Sequence, residues 1–263
     1  MTREMTTGGI GIKGLFLNYG GTLAPVRIPR NYSRVPRETE LALWELRERI
    51  PVGIITTQSL EFVVPRTQFA HAWYAVGIEM RVGERLYPPL FTPEALPLVA
   101  RALEFARTRL ARGMFIEEKR AMSGSVAAFC VDWRYASDQE RAGIAVSEIA
   151  DFCRALRLCV IPSGQPYCNV YAHDIDITRA LPAMKRELGV TAGVMYLGDS
   201  EADNPVFAAV EVAIGVVHEE SGEALGCHSK IRFEEAAVFF RRLLANNLVF
   251  EPELAVFGPE PVR

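Results

Sequence analysis

The 263-residue sequence predicts an α/β fold, a doubly wound parallel sheet interrupted by an inserted α+β module. Wholly apolar runs alternate with amphipathic stretches over the first 82 residues. Prolines at 88, 89, 93 and 97 then break the rhythm, and the alternation resumes from about Ile175. Apolar runs without polar alternation are the pattern of strands buried on both faces of a sheet.

The elements follow in chain order. Gly14 to Tyr19 reads as a short buried strand centred on Leu15, Phe16 and Leu17, and Gly20-Gly21-Thr22 as a turn. Leu41, Trp44 and Leu46 recur at helical spacing between Glu38 and Arg49, and Pro51 stops that helix. Val52 to Thr57 is a second apolar strand, Ser59 to Phe69 a short helix and Trp73 to Val82 a third strand, with Trp44 and Trp73 expected in the core. In the middle section a helix is expected over Glu94 to Arg112 and another near Asp138 to Leu156. Strands are expected at Met114 to Ile116, Ser125 to Trp133, Leu158 to Ile161 and Tyr167 to Ala172. The returning pattern gives a helix Thr178 to Leu188, a strand Val194 to Leu197, a helix from Asp203, a strand Val212 to Val217 and a helix Glu234 to Leu244. Glu251 to Arg263 holds three prolines and reads as a surface tail.

Composition narrows the function classes. A hydrophobic fraction of 49% supports a sizeable core, and a net charge of −3 gives no evidence for nucleic acid or an anionic membrane as partner. Five cysteines without a CxxC pair read as reduced thiols, and Cys227-His228 lacks a second ligand pair for zinc. No apolar run approaches the roughly 20 residues of a membrane span, so a soluble, cytoplasmic protein is expected. Only four of the 29 basic residues are lysine (Lys13, Lys119, Lys185, Lys230), and no aspartate precedes Asp132.

Ligands of an open parallel sheet bind beyond the carboxyl ends of its strands. Three such ends carry polar residues: Asn18 to Thr22, Thr56-Thr57, and Gly198-Asp199-Ser200-Glu201-Ala202-Asp203. Asp199 and Asp203, four residues apart at a strand-to-helix junction, can face one hard cation such as Mg²⁺; alternatively Asp203 caps the helix and Asp199 is a turn residue. The stretch Gly198 to Phe207 resembles the fourth motif of the haloacid dehalogenase (HAD) superfamily in its sugar-phosphate phosphatase form. Leu15 to Pro25 resembles the first motif of trehalose-6-phosphate phosphatases, and Thr56 falls where the second motif places its phosphate-binding hydroxyl. Ile116 to Lys119 and Asp132 to Ala136 are similar to the substrate-facing cap segments of that family.

The resemblance implies a HAD-like core over 1–88 and 173–263 with a cap domain inserted over 89–172. It implies Glu118, Lys119 and Arg134 as substrate-binding residues. It also implies Mg²⁺ at Asp199, Asp203, Asn18 and Gly20. Such phosphatases use the first Asp of motif one as nucleophile and the second as general acid/base, and a lysine from motif three holds the phosphate. The matching positions here are Asn18, Gly20 and Ile177, which weakens the Mg²⁺ site as well as the chemistry. No other aspartate lies on the early strands. Lys13 precedes the first strand, Lys185 lies about 12 Å beyond Ile177 along its helix, and Lys119 belongs to the cap. That leaves Lys230 or Arg179 as stand-ins. Loss of a covalent nucleophile costs on the order of 10⁴ to 10⁶ in rate, about 5 to 8 kcal/mol. The expectation is a pseudophosphatase that binds a protein partner or a sugar phosphate as a binding, regulatory or structural subunit. The alternative is a Mg²⁺-dependent phosphomonoester hydrolase acting on a sugar phosphate such as trehalose 6-phosphate.

Overall fold

The computed structural model describes residues 9–162, 166–219 and 224–257; the ends at 1–8 and 258–263 lie outside the described residues, and the described start of the expected surface tail is instead docked, with Ala255 buried and Leu254 and Phe257 packed against the core. The first half holds β1 (Ile10–Gly11), β2 (Gly14–Leu17), α1 (Arg37–Arg47), β3 (Val52–Thr56), α2 (Leu60–Val63), β4 (Ala72–Ala75), β5 (Glu79–Val82) and β6 (Arg85–Leu86). The middle holds α3 (Leu96–Arg109), β7 (Phe115–Arg120), β8 (Val126–Asp132), α4 (Gln139–Ala155), β9 (Cys159–Pro162) and β10 (Tyr167–Tyr171). The chain then runs through α5 (Ala180–Leu188), β11 (Val194–Gly198), α6 (Asn204–Phe207), β12 (Val212–Val217), β13 (Ser229–Arg232), α7 (Ala236–Ala245) and β14 (Val249–Phe250).

One sheet of eight strands runs in the order β13-β12-β11-β2-β3-β4-β5-β6. It is parallel from β13 to β4 and closes with the antiparallel β5 and β6. β2 is central: Leu17 pairs with Ile54 on one side and Leu197 on the other, and Leu197 in turn with Ile214. Alternate side chains feed opposite faces, as the period of two requires. Leu15 and Leu17 join one core cluster, which also takes residues of α1 and α7, while Phe16 joins the second, which takes residues of α5 and α6. The middle section folds as a four-stranded antiparallel sheet, β7-β8-β10-β9, with α3 and α4 packed on one face. No described helix is long and apolar enough to cross a membrane.

Several expectations needed correction. Trp44 is 37% exposed and lies beneath the Arg47 guanidinium, whereas Trp73 is buried. The buried stripe of α1 is Thr39, Ala42, Leu43 and Leu46, a spacing of three and four that leaves Trp44 off the face meeting α7. The run from Trp73 to Val82 is a hairpin rather than one strand, because Gly77 turns at φ +72. Lys230 sits within β13, a parallel strand at the sheet edge beyond the last strand expected, Val212 to Val217.

Candidate functional site

The parallel register brings four strand ends to one edge. Asn18 follows β2, Thr56 ends β3, Asp199 follows β11, and His218 follows β12. Asn18 is locked onto its neighbour by its backbone N–H, which donates to the Leu197 carbonyl at 2.9 Å.

Asp199 is the hub. Its Oδ1 accepts from Asn18 Nδ2 at 3.0 Å and from Thr22 Oγ1 at 3.0 Å, and its Oδ2 lies 3.1 Å from His218 Nε2. The Asn18 amide has no freedom left, because its Oδ1 accepts the Tyr19 N–H at 2.6 Å. It therefore presents a donor to Asp199, where a nucleophilic carboxylate would present a lone pair. Gly20 is exposed, and a Cβ placed on it would meet nothing within 4 Å. The backbone leaves room for a side chain there.

Asp203 faces elsewhere. Its Oδ1 accepts from the Tyr196 hydroxyl at 2.5 Å, and its Oδ2 from Asp199 N–H at 3.1 Å, Ser200 N–H at 3.0 Å and Ser200 Oγ at 3.0 Å. Gly198 makes this possible, since a Cβ there would stand 2.5 Å from the Asp203 carboxyl carbon. Burial first, and Asp199 second, push the Asp203 carboxyl up to about 6. Asp203 therefore closes a capping box opened by Ser200 rather than acting as the N-cap itself, with Oδ2 committed to the turn and Oδ1 to the Tyr196 hydroxyl of β11.

Thr56 Oγ1 is buried and accepts the Gln58 N–H at 3.1 Å, so it orders the loop after β3. Ile177 is half-buried against the second core cluster and brings no charge. Arg179 pairs with Asp176 (Nε–Oδ2 3.4 Å), both exposed. Lys13 immediately precedes β2, at the opposite end of that strand from Asn18.

The antiparallel sheet meets the loops of the parallel sheet through a few polar contacts. Lys119 is 1% exposed, with Nζ donating to Asn169 Oδ1 at 2.6 Å and lying 3.5 Å from the Tyr171 hydroxyl. Burial alone would depress its pKa; Tyr171, Glu117 and Cys130 outweigh that and leave it raised, so the ammonium stays charged. Glu117 shares this face and lies 3.0 Å from Arg30 Nε. Arg30 also reaches Gln58 Oε1 (3.4 Å), tying the sheet to the loop after Thr56. Glu118 points the other way and pairs with Arg107 of α3 and with Arg120. The period of two in a strand sends adjacent residues to opposite faces, so the expected placement of Glu118 beside Lys119 is replaced by Glu117. Arg134 grips Asp132 (Nη2–Oδ2 2.8 Å) and donates to the Val26 carbonyl, closing this sheet onto the loop beyond the Gly20 turn. Met122 N–H donates to buried Glu79 at 2.8 Å, a second anchor between the two sheets.

His218 and Arg30 were missed by sequence reasoning, whereas Thr22 and Glu117 fell within the segments Asn18 to Thr22 and Ile116 to Lys119 without a role of their own. Glu117 was recoverable from strand alternation outward from Lys119. His218 was recoverable as the polar residue that follows another buried strand.

These donors do not suit Mg²⁺, which wants near-octahedral oxygen ligands at about 2.0–2.1 Å. Asn18 offers N–H, Gly20 at most its backbone carbonyl, Asp203 no uncommitted oxygen, and only Asp199 a carboxylate in the expected place. Among the described residues no group of three or more His, Cys, Asp and Glu could hold a metal ion.

No protein-family model matches the chain, and no curated protein matches its sequence. Solved structures share its fold. It superposes on a trehalose-6-phosphate phosphatase related protein with a TM-score of 0.68 at 16% identity, over 90% of this chain and 99% of that one. The C-terminal domain of C. albicans trehalose-6-phosphate phosphatase gives 0.70 at 13% identity, over 89% and 93%. A haloacid dehalogenase-like hydrolase from Bacteroides thetaiotaomicron gives 0.66 at 14% identity, over 88% and 99%. The α/β architecture expected from the motifs is thus the architecture of this chain, shared with HAD-superfamily phosphatases.

Proposed function

We propose that this chain is a non-catalytic relative of the HAD sugar phosphatases, a pseudophosphatase that serves as a binding, regulatory or structural subunit. One observation carries the reading: at the nucleophile position, the Asn18 amide is held by its own turn and donates to Asp199. An amide nitrogen engaged this way has no lone pair to offer phosphorus. Two further observations point the same way. Gly20 has no proton to give a leaving group, and Ile177 packs against apolar neighbours where a cation would hold phosphate.

What remains is a scaffold for recognition. The polar ends of the parallel strands offer hydrogen-bonding groups, and Glu117 and Arg30 join them from the antiparallel sheet, while the enclosed Lys119 ammonium is spent on Asn169. That chemistry suits a hydroxyl-rich anion such as a sugar phosphate, or a protein loop presenting the same groups. A phosphatase assay with Mg²⁺ on trehalose 6-phosphate and on a generic aryl phosphate tests the reading. No turnover above buffer is expected. Turnover that disappears in Asp199→Ala would overturn it and establish a Mg²⁺-dependent phosphomonoester hydrolase instead.

A further inference from the structure

We infer that His218 takes, at Asp199, the place a divalent cation would take, so that this edge of the sheet is closed by the protein's own hydrogen bonds and needs no metal. The inference deepens the pseudophosphatase reading and rests on it. Its starting point is the burial of the pair: the side chains of Asp199 and His218 are only 11% and 13% exposed. A carboxylate so placed must find donors or a cation, because an unpaired buried charge is strongly unfavourable. Here the donors come from two different strand ends. Asn18 and Thr22, beyond β2, serve Oδ1, and His218, beyond β12, serves Oδ2.

Gly21 shows how closely the pair is enclosed. Its turn, at φ +76, passes so near that a Cβ would lie 2.0 Å from Asp199 Oδ2 and 2.7 Å from His218 Nε2. An ion coordinated to Oδ2 at about 2 Å on the side facing the ring would collide with a nitrogen standing 3.1 Å from that oxygen. Ring and ion exclude each other there. For Mg²⁺ to enter, His218 must swing out and Asn18 must turn its amide, each breaking a hydrogen bond to a charged group.

The test compares the full chain with His218→Gln and His218→Ala, by calorimetric titration with MgCl₂ and by thermal melts in EDTA or in millimolar MgCl₂. The wild-type chain is expected to give no binding heat and the same melting temperature in both buffers. His218→Gln, which keeps an N–H donor, should behave alike. His218→Ala should melt about 4 to 8 °C lower in EDTA, the loss of one hydrogen bond to a charged group in a chain of this size. It should regain part of that loss in MgCl₂. Mg²⁺ heat in the wild-type chain that is abolished by Asp199→Asn would overturn the inference. So would a His218→Ala chain that melts like wild type in both buffers. If His218→Ala does not fold, the wild-type titration decides alone. The two readings fail separately: phosphate-ester turnover in EDTA would sink the pseudophosphatase and spare the metal-free site, whereas Mg²⁺ heat without turnover would do the reverse.

Discussion

The turn after β2 and the turn after β11 sit side by side on the same sheet edge, and they are built in opposite ways. Asp199 to Asp203 keeps both carboxylates, but each is spent on neighbours: one on Asn18, Thr22 and His218, the other on Tyr196, Ser200 and the Asp199 amide. Asn18 to Ala24 has no acid yet forms a tight turn, in which Gly21 N–H donates to the Ala24 carbonyl at 2.8 Å and Leu23 and Ala24 N–H both donate to the Tyr19 carbonyl. Backbone and chemistry are therefore separable here. The first turn preserves shape without charge, and the second preserves charge that has become structural.

The largest effect is expected where the charge is most structural. Asp203→Ala should lose about 3 to 5 kcal/mol, because it orphans the buried Tyr196 hydroxyl together with the turn's N–H groups. Urea unfolding at neutral pH measures this. A loss below about 1 kcal/mol would mean the carboxylate is not holding the turn. Its pH dependence has a definite sign. The folded carboxyl titrates near 6, above its ordinary value of 3.8, so it binds its proton more tightly folded than unfolded. The resulting stability is present below the unfolded value and lost as pH rises through about 6. Asp203→Asn should remove that decline, seen as urea midpoints that no longer fall across this window.

The first turn yields smaller effects. Gly21→Ala should lose about 2 to 4 kcal/mol, from its left-handed backbone and from the collision with Asp199. Asn18→Asp should lose about 1.5 to 3 kcal/mol in EDTA, since it replaces a donor with a carboxylate facing Asp199 Oδ1. Part of the loss should return with MgCl₂, because two facing carboxylates supply the hard oxygen pair this chain lacks. Melts in the two buffers decide it. No recovery would show that the backbone, as well as the side chains, has left the metal-binding arrangement.

The sequence carried the architecture and the strand ends, because buried parallel strands leave continuous apolar runs such as Leu15 to Leu17 and Val194 to Leu197. It carried Asn18, Gly20 and Ile177 as departures, because those rest on residue identity alone. Side-chain direction was less legible. Asp199 and Asp203 have the spacing of a cation site and equally that of a capped turn, and the Tyr196 hydroxyl that settles the matter lies on the strand itself. Trp44 was misplaced because one residue of rotation about α1 separates the stripe of Leu43 and Leu46 from the solvent side. His218 was overlooked because its contact with Asp199 crosses 19 residues of sequence.

The same lesson applies within the antiparallel sheet, where two adjacent glutamates offer the finest contrast. Glu118→Gln should change stability by no more than about 0.5 kcal/mol, since its partners Arg107 and Arg120 are each close to half exposed and water replaces them readily. Glu117→Gln should lose about 1 to 3 kcal/mol, because it leaves the fully enclosed Lys119 ammonium and Arg30 without their carboxylate. Denaturation midpoints of the two variants, measured side by side, check the difference. Equal losses would place both glutamates in the same environment and undo the assignment of Glu117 to the face that carries Lys119 and meets Arg30. A larger loss from Glu118 would reverse it, and with it the register that carries Lys119 inward.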